Sequence, residues 1–278
     1  MDERLRAFLD EDGAAWRDVT SSLVAGHDAT ATVTTREGGV AAGVEEAIAL
    51  FEHVGATVES AVADGDRVAA GETLLRLSGD AAALLRAERP AINLVGSLSG
   101  VATLTRECVD AANPDGAERG DSGHTRVAAT RKTTPGYRAF EKKAVRLGGG
   151  DTHRYGLADA VLIKENHVAL LGMETAVERA RERASFTTKV EAEAETRAEA
   201  VTAAEAGADI VLLDNMSPGA AAECVDVLPE DVLVEASGGI TRETVAAYAD
   251  AGVDVVSMGS LTHSSDWLDV TMLLDAAE

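Results

Sequence analysis

"KVEAEAETRAEAVTAAEAGADIVLLDN", residues 189–215, sets one short β-rich run against another across an Ala- and Glu-rich stretch of helical composition. The same unit recurs around "DAVLIKEN" (159–166), "VLVEASGG" (232–239) and "DVVSMGS" (254–260). Apolar runs bounded by turn signals and alternating with helices indicate βαβ units and a parallel sheet. With Val190, Ile210, Val232 and Val255 as strand markers, the steps are 20, 22 and 23 residues. So short and regular a period predicts an α/β barrel of TIM-like type rather than an open sheet. The helix endings "AEAGAD" and "ADAGVD" put Gly207 and Gly252 where a left-handed cap is wanted before the next strand.

Working back toward the N-terminus, the pattern changes. "ATVTTREGGVAAG" (31–43) and "VGATVESAVADGDRVAAGETLLRLSGD" (54–80) are strands punctuated by Gly-Gly, Asp-Gly and Ala-Gly turns, with the helix "GVEEAIALFEHVG" (43–55) between them. An α+β sandwich domain with an antiparallel sheet is predicted. The second stretch has the turn pattern of lipoyl- and biotinyl-type sandwiches but no central Lys on a hairpin, so it is read as fold. A long helix, residues 81–113, leads into the barrel and is expected to break near Pro90, which cannot donate to the helical ladder. The expected domains are 1–110, linking helix included, and 111–278, with a C-terminal helix packing back on the N-terminal domain.

Length and composition bound the function. The 278 residues, 46% apolar, can fill one large or two ordinary cores. The opening "MDERLRAFLDEDG" has neither a signal pattern nor an apolar run of membrane-spanning length, so a cytoplasmic protein is expected. Cys108 and Cys224, far apart and without metal-ligand companions, read as buried small hydrophobes. Forty-eight acids against 25 basic residues give a net charge of −23, which disfavours a nucleic acid partner and suits a high-salt cytoplasm.

Against that background, residues 126–154 hold eight Lys or Arg and two acids, a local net of +6. Such clustering asks for an anionic partner. Arg138, Lys142, Lys143 and Arg146 have the pattern of a solvated helix face, whereas "TRKTTPG" (130–136) and "GGGDTHR" (148–154) are loops by their Gly, Pro and Thr content. In a parallel barrel the site lies at the C-terminal strand ends. The polar residues there are Lys164, Glu193, Asp214, Ser237 with Gly238 and Gly239, and Gly259 with Ser260. The two glycine turns, each leading toward a helix, are candidates for a phosphate site. Glu193 and Asp214 face one cavity if their strands are neighbours, and two carboxylates can hold Mg²⁺ or accept from ribose hydroxyls. Glu191 has the same parity as Glu193, and the sequence leaves the choice open. Arg131, Lys132, His153, Arg154 and Lys164 supply positive charge beside them. His27, His53 and His124 read as structural.

At these residues the chain resembles the quinolinate phosphoribosyltransferases, the nicotinate-nucleotide pyrophosphorylases of NAD biosynthesis. The likeness runs through "DVTS" (18–21), "ERPAINLVGSLSGVAT" (88–103), "TRKTTPG", "GGGDTHRYGLADAVLIKENH" (148–167), "LLDNMSP" (212–218), "EASGGI" (235–240) and "SMGSLTHS" (257–264). The resemblance implies an N-terminal sandwich domain, a seven-stranded α/β barrel, and conversion of quinolinate and phosphoribosyl pyrophosphate, with Mg²⁺, to nicotinate mononucleotide, pyrophosphate and CO₂. It assigns Arg131, Arg154 and Lys164 to the quinolinate pocket, with Lys132 and His153 lining it toward the second substrate. Glu193 and Asp214 match the acids near ribose and Mg²⁺; Ser237, Gly238, Gly239, Gly259 and Ser260 match phosphate turns; His263 stands beside them. Lys132, Lys164, Glu193 and Asp214 form the implied catalytic set. Arg89 matches an arginine that reaches a neighbouring subunit's site, implying a homodimer. "KVEAEAE" departs from the family's more apolar strand. Rival readings are a nicotinate phosphoribosyltransferase without decarboxylation, a barrel lyase or aldolase using Lys164 as a Schiff base, and a silent phosphate-binding subunit.

Overall fold

The computed structural model describes residues 2–14, 18–116 and 123–276. The chain forms two compact units, residues 1–103 with 265–278, and residues 104–264.

The first unit opens with α1 (Glu3–Leu9), then β1 (Asp28–Thr35), β2 (Gly39–Val40), α2 (Val44–His53), β3 (Thr57–Ala61), β4 (Arg67–Val68), β5 (Thr73–Asp80) and α3 (Ala81–Ala112), which runs on into the second unit. Strand β1 alternates as a half-buried strand should, with Ala29, Ala31 and Val33 inward. Helix α2 turns Val44, Ala47, Leu50 and Phe51 into the core. Contrary to expectation, α3 continues through Pro90. Proline forfeits one ladder bond, while the buried Leu84, Ala87, Ala91, Leu94, Val95 and Leu98 on either side hold both halves by packing.

The second unit holds β6 (Arg126–Ala128), α4 (Arg138–Leu147), β7 (Val161–Ile163), α5 (Glu165–Leu171), α6 (Met173–Arg183), β8 (Val190–Ala194), α7 (Arg197–Glu205), β9 (Ile210–Asp214), α8 (Pro218–Val225), β10 (Leu233–Ser237), α9 (Val245–Asp250), β11 (Val255–Ser257) and α10 (Ser260–His263). Its six strands run parallel in the order β6-β11-β10-β9-β8-β7, and Asp151 forms a single parallel bridge with Ala128 on the outer edge of β6. The seventh strand of the expected barrel is thus reduced, among the described residues, to that bridge. Gly207 and Gly252 take the left-handed φ values, 95° and 84°, that the helix endings called for. The Asp that follows closes each unit: Asp209 accepts from the Val190 N–H and Asp254 from the Val234 N–H, both at 2.8 Å. The repeated Gly-X-Asp therefore ties each helix exit to the start of the preceding strand in the sheet.

The chain ends as β12 (Val270–Ala276), an edge strand paired antiparallel to β1 in the order β12-β1-β5-β3. This corrects the expected C-terminal helix and moves the boundaries from 110 to 103 and 264. The tail returns to the first unit because β1 has an open edge on the side away from β5, and unpaired strand groups are costly.

Candidate active site

Register sets the site. Glu193 on β8 sits level with Leu212 on β9 and Glu235 on β10; one layer up, Asp214 is level with Ser237 and Ser237 with Ser257. Side chains of equal parity share a face, and here they line a cavity of about 810 Å³ at the C-terminal strand ends. Strands β8 and β9 are neighbours, as the pairing of Glu193 and Asp214 requires. Both acids line the cavity, together with Arg131, Lys132, His153, Arg154, Lys164, Ser237, Gly238, Gly239, Gly259, Ser260 and His263. Arg89 does not: it lies exposed on α3, its guanidinium 3.9 Å from Glu88 and its side chain 62% accessible.

The cations arrive on loops held from below. Lys164, at the head of α5, is ion-paired with the buried Glu193. Lys132 passes over Gly259, where a Cβ would stand 3.0 Å from its Cδ and 3.2 Å from the His263 ring, and its carbonyl accepts from the Thr262 hydroxyl at 2.6 Å. Helix α4 is the solvated face expected from its charges at Arg146 but not at Lys142, while Arg138 and Lys143 are half-buried. Arg138 donates to Thr133 Oγ1 at 2.9 Å and to the Tyr155 carbonyl at 2.8 Å; Glu141, buried, accepts from the Thr134 N–H at 3.1 Å; Lys142, fully buried, donates to the Thr152 carbonyl. The reason is tertiary: the loops that follow β6 and α4 fold over the helix and cover it.

Around Asp214 the backbone is specialised. Asn215 adopts φ 55°, donates through Nδ2 to Asp214 Oδ2 at 2.7 Å and through its N–H to the Ser237 carbonyl at 2.8 Å. Gly238, at φ 100°, lies against Asn215 so closely that a Cβ would collide with its amide side chain. Burial and the Glu193 charge raise the Asp214 pKa, against the pull of Lys164. The glycine turns lie at the strand ends, but α9 begins only at Val245 and α10 spans four residues. Backbone N–H groups, rather than long helix dipoles, are what these turns offer an anion.

Two residues that the sequence reading did not place are Glu191, left as an alternative, and Glu235, not considered. Both lie in the cavity wall, 1% and 2% exposed. Their parity with Glu193 and Ser237 was the available signal. Glu235 Oε2 is 3.1 Å from His153 Nε2 and Glu191 Oε2 is 3.8 Å from it, while Glu191 Oε1, Glu235 Oε1 and Arg154 Nε are buried without a hydrogen-bond partner. Burial, reinforced by the Glu235 charge, pushes the Glu191 pKa up to about 7. Burial opposes charge on His153, but its bond to Glu235 and both nearby carboxyls raise its pKa. His153 Nδ1 accepts from the Arg154 N–H at 2.7 Å, so the neutral ring carries its proton on Nε2 and gives it to Glu235. The three groups could otherwise be read as metal ligands, lying within 4.8 Å of one another. A metal on Nε2 would leave that proton no place, since Nδ1 is already an acceptor. Glu235 is therefore the hydrogen-bonded anchor of the ring, with Glu191 beside it at ion-pair distance.

A strand-end cavity that gathers four Lys or Arg, two histidines, five carboxyl groups and two glycine turns has counterparts among known proteins. Residues 18–99 and 101–273 match the N-terminal and C-terminal domains of quinolinate phosphoribosyl transferase. A probable nicotinate-nucleotide pyrophosphorylase (carboxylating) of Methanothermobacter thermautotrophicus is 45% identical over 92% of this chain and 93% of its own. The human nicotinate-nucleotide pyrophosphorylase (carboxylating) is 41% identical over 89% and 83%. The crystal structure of NadC from Streptococcus pyogenes superposes with a TM-score of 0.91 at 36% identity, covering 100% of this chain and 97% of that one. With both domains matched in order and the charged strand ends assembled in one cavity, this chain belongs to the quinolinate phosphoribosyltransferase family.

Proposed function

We propose that the protein transfers the phosphoribosyl group of phosphoribosyl pyrophosphate to quinolinate with loss of CO₂, giving nicotinate mononucleotide and pyrophosphate for NAD biosynthesis. The observation that carries this reading is the convergence of Arg131, Lys132, His153, Arg154 and Lys164 on one cavity of a chain with net charge −23. Quinolinate brings two carboxylates, and its partner a 5′-phosphate and a pyrophosphate. Bringing such anions together needs a local basic trap.

In this reading Arg131, Arg154 and Lys164 hold the quinolinate carboxylates; the buried, unpartnered Arg154 Nε is the donor such a ligand would satisfy. Ser237 to Gly239 and Gly259 with Ser260 receive phosphate oxygens, with His263 beside them. Catalysis is positioning and electrostatics. The pyridine nitrogen attacks the anomeric carbon as the bond to pyrophosphate breaks, and Lys132 and Lys164 stabilise the departing charge. Glu193 and Asp214 stabilise positive charge developing on the ribose. The positive charge on the alkylated nitrogen then stabilises the carbanion left at C2 when CO₂ departs, and that electron pair takes up a proton from solvent. No further cofactor is required for that step.

Glu193 and Asp214 are also the residues that would hold Mg²⁺: their donors are carboxylate oxygens, and the raised Asp214 pKa marks a place where a cation is favoured, one that the Lys164 ammonium, paired with Glu193, now serves. When bound, Mg²⁺ would screen the pyrophosphate charge. We further propose a homodimer in which exposed Arg89 reaches the neighbouring site, a cytoplasmic location and a high-salt setting. Among the described residues no helix is long and apolar enough to cross a membrane.

The test is product analysis. Incubation with quinolinate and phosphoribosyl pyrophosphate should yield nicotinate mononucleotide and stoichiometric pyrophosphate by mass spectrometry, and nicotinate should not replace quinolinate. Turnover of nicotinate would favour the rival transferase; reduction with borohydride that traps a carbonyl substrate on Lys164 would favour the lyase. For the shared site, mixing Arg89→Ala with Lys132→Ala subunits should restore part of the lost activity, and no recovery after confirmed subunit exchange would refute it.

A further inference from the structure

Lys142 is 0% exposed, in the middle of α4, a helix whose other buried positions are Phe140, Ala144, Val145 and the adjoining Glu141. An unbranched apolar side chain such as Met would fill the same space without the cost of desolvating an ammonium. Burial is indeed the largest influence on this lysine, drawing its pKa down to about 8; Arg138 and Arg154 push the same way, and Asp151 and Asp159 oppose them. Such a cost is borne where the charged end has a specific partner. That partner is the Thr152 carbonyl, one residue before His153.

His153 is one of two non-glycine residues with positive φ among the described residues, at 49°. A left-handed backbone at a residue other than Gly, Asn or Asp costs free energy and persists only where its surroundings impose it. Three contacts impose it. Lys142 holds the carbonyl before His153, the Asp151 carboxylate accepts the His153 N–H at 2.8 Å, and Glu235 takes the ring. The turn they define sends His153 and Arg154 into the cavity together. One helical position back, Glu141 does the same for the loop after β6 by accepting the Thr134 N–H.

We propose that Lys142 is a positioning residue of the base pocket: it fixes the Thr152 carbonyl so that the strained turn at His153 forms and Arg154 meets a carboxylate of the substrate. The choice of quinolinate as that substrate rests on the function proposed above.

The test uses Lys142→Met, which keeps length and loses the donor, in the full-length protein. The expected result is a rise in KM for quinolinate of about tenfold or more, with kcat within about threefold and KM for phosphoribosyl pyrophosphate within about twofold of the parent. Independently of activity, nitrogen-15 NMR of histidine should show His153 as a single Nε2-protonated ring in the parent and as a mixture in the variant. A variant with parent KM values and an unchanged His153 signal, whatever its melting temperature, would overturn the proposal, as would an equal loss on both substrates. If Lys142→Met does not fold, Lys142→Gln takes its place with the same two readouts. Should the parent fail to turn over quinolinate, the function falls and the His153 signal alone decides the positioning role.

Discussion

Glu191 shows how much a single side chain can carry. It is buried on the inward face of β8, and its pKa stands near 7 against an ordinary 4.5 because burial and the Glu235 charge disfavour ionisation. Between those two values the folded chain keeps a proton that the unfolded chain has released, so this residue's contribution to stability falls as pH rises through the window. Gln resembles the protonated form. Glu191→Gln should therefore melt with the parent near pH 4.5 and above it at pH 8, by about 3 kcal/mol for a shift of this size. Thermal unfolding at the two pH values checks this; a variant less stable than its parent at pH 8 would mean that His153 and Arg154 hold Glu191 as an ion. At this scale the sequence was partly legible. Strand parity pointed inward for Glu193 and Asp214, and the same rule covers Glu191 and Glu235. What parity does not give is the partner each carboxyl finds: Glu193 and Glu235 stand at the same level, yet Glu193 pairs with Lys164 and Glu235 with His153.

Among the elements, the turns at the strand ends are the most constrained. Gly238 has φ 100° and no room for a Cβ beside Asn215, whose amide is bonded to Asp214. Gly238→Ala should lose about 1–2 kcal/mol for the backbone alone. It should also lower kcat/KM by about tenfold or more, because the methyl displaces Asn215 from Asp214. Denaturant unfolding and steady-state rates measure the two effects, and a variant equal to its parent in both would contradict this account of the turn. The barrel strands and their helices were legible because a period of 20 to 23 residues has few architectural solutions. Three features were not. Helix α4 carries the charges of a solvent face, yet the loops on either side of it fold back to bond Arg138, Glu141 and Lys142, a folding-back that helix periodicity does not express. Helix α3 passes through Pro90 on the strength of packing that local propensity does not express. The run from Val270 to Ala276 becomes a strand because β1 offers it an edge more than 200 residues away in sequence.

For the whole molecule the governing quantity is charge. A net of −23 on 278 residues means self-repulsion that salt screens, while the basic trap at residues 126–154 works inside a negative field. The melting temperature is expected to rise by about 5 °C or more between about 0.1 M and 2 M KCl, roughly 2 kcal/mol for a chain of this size. A melting temperature that ignores salt would remove the high-salt setting from the account and leave the site untouched. The chemistry proposed for this site joins two anions and then releases CO₂. The most direct measurement is release of labelled CO₂ from quinolinate labelled in its 2-carboxylate, with Mg²⁺ in high salt, with and without phosphoribosyl pyrophosphate. Release is expected only when both substrates are present, with one pyrophosphate formed for each CO₂. No release from folded protein with both substrates present, or release that does not depend on phosphoribosyl pyrophosphate, would contradict that chemistry.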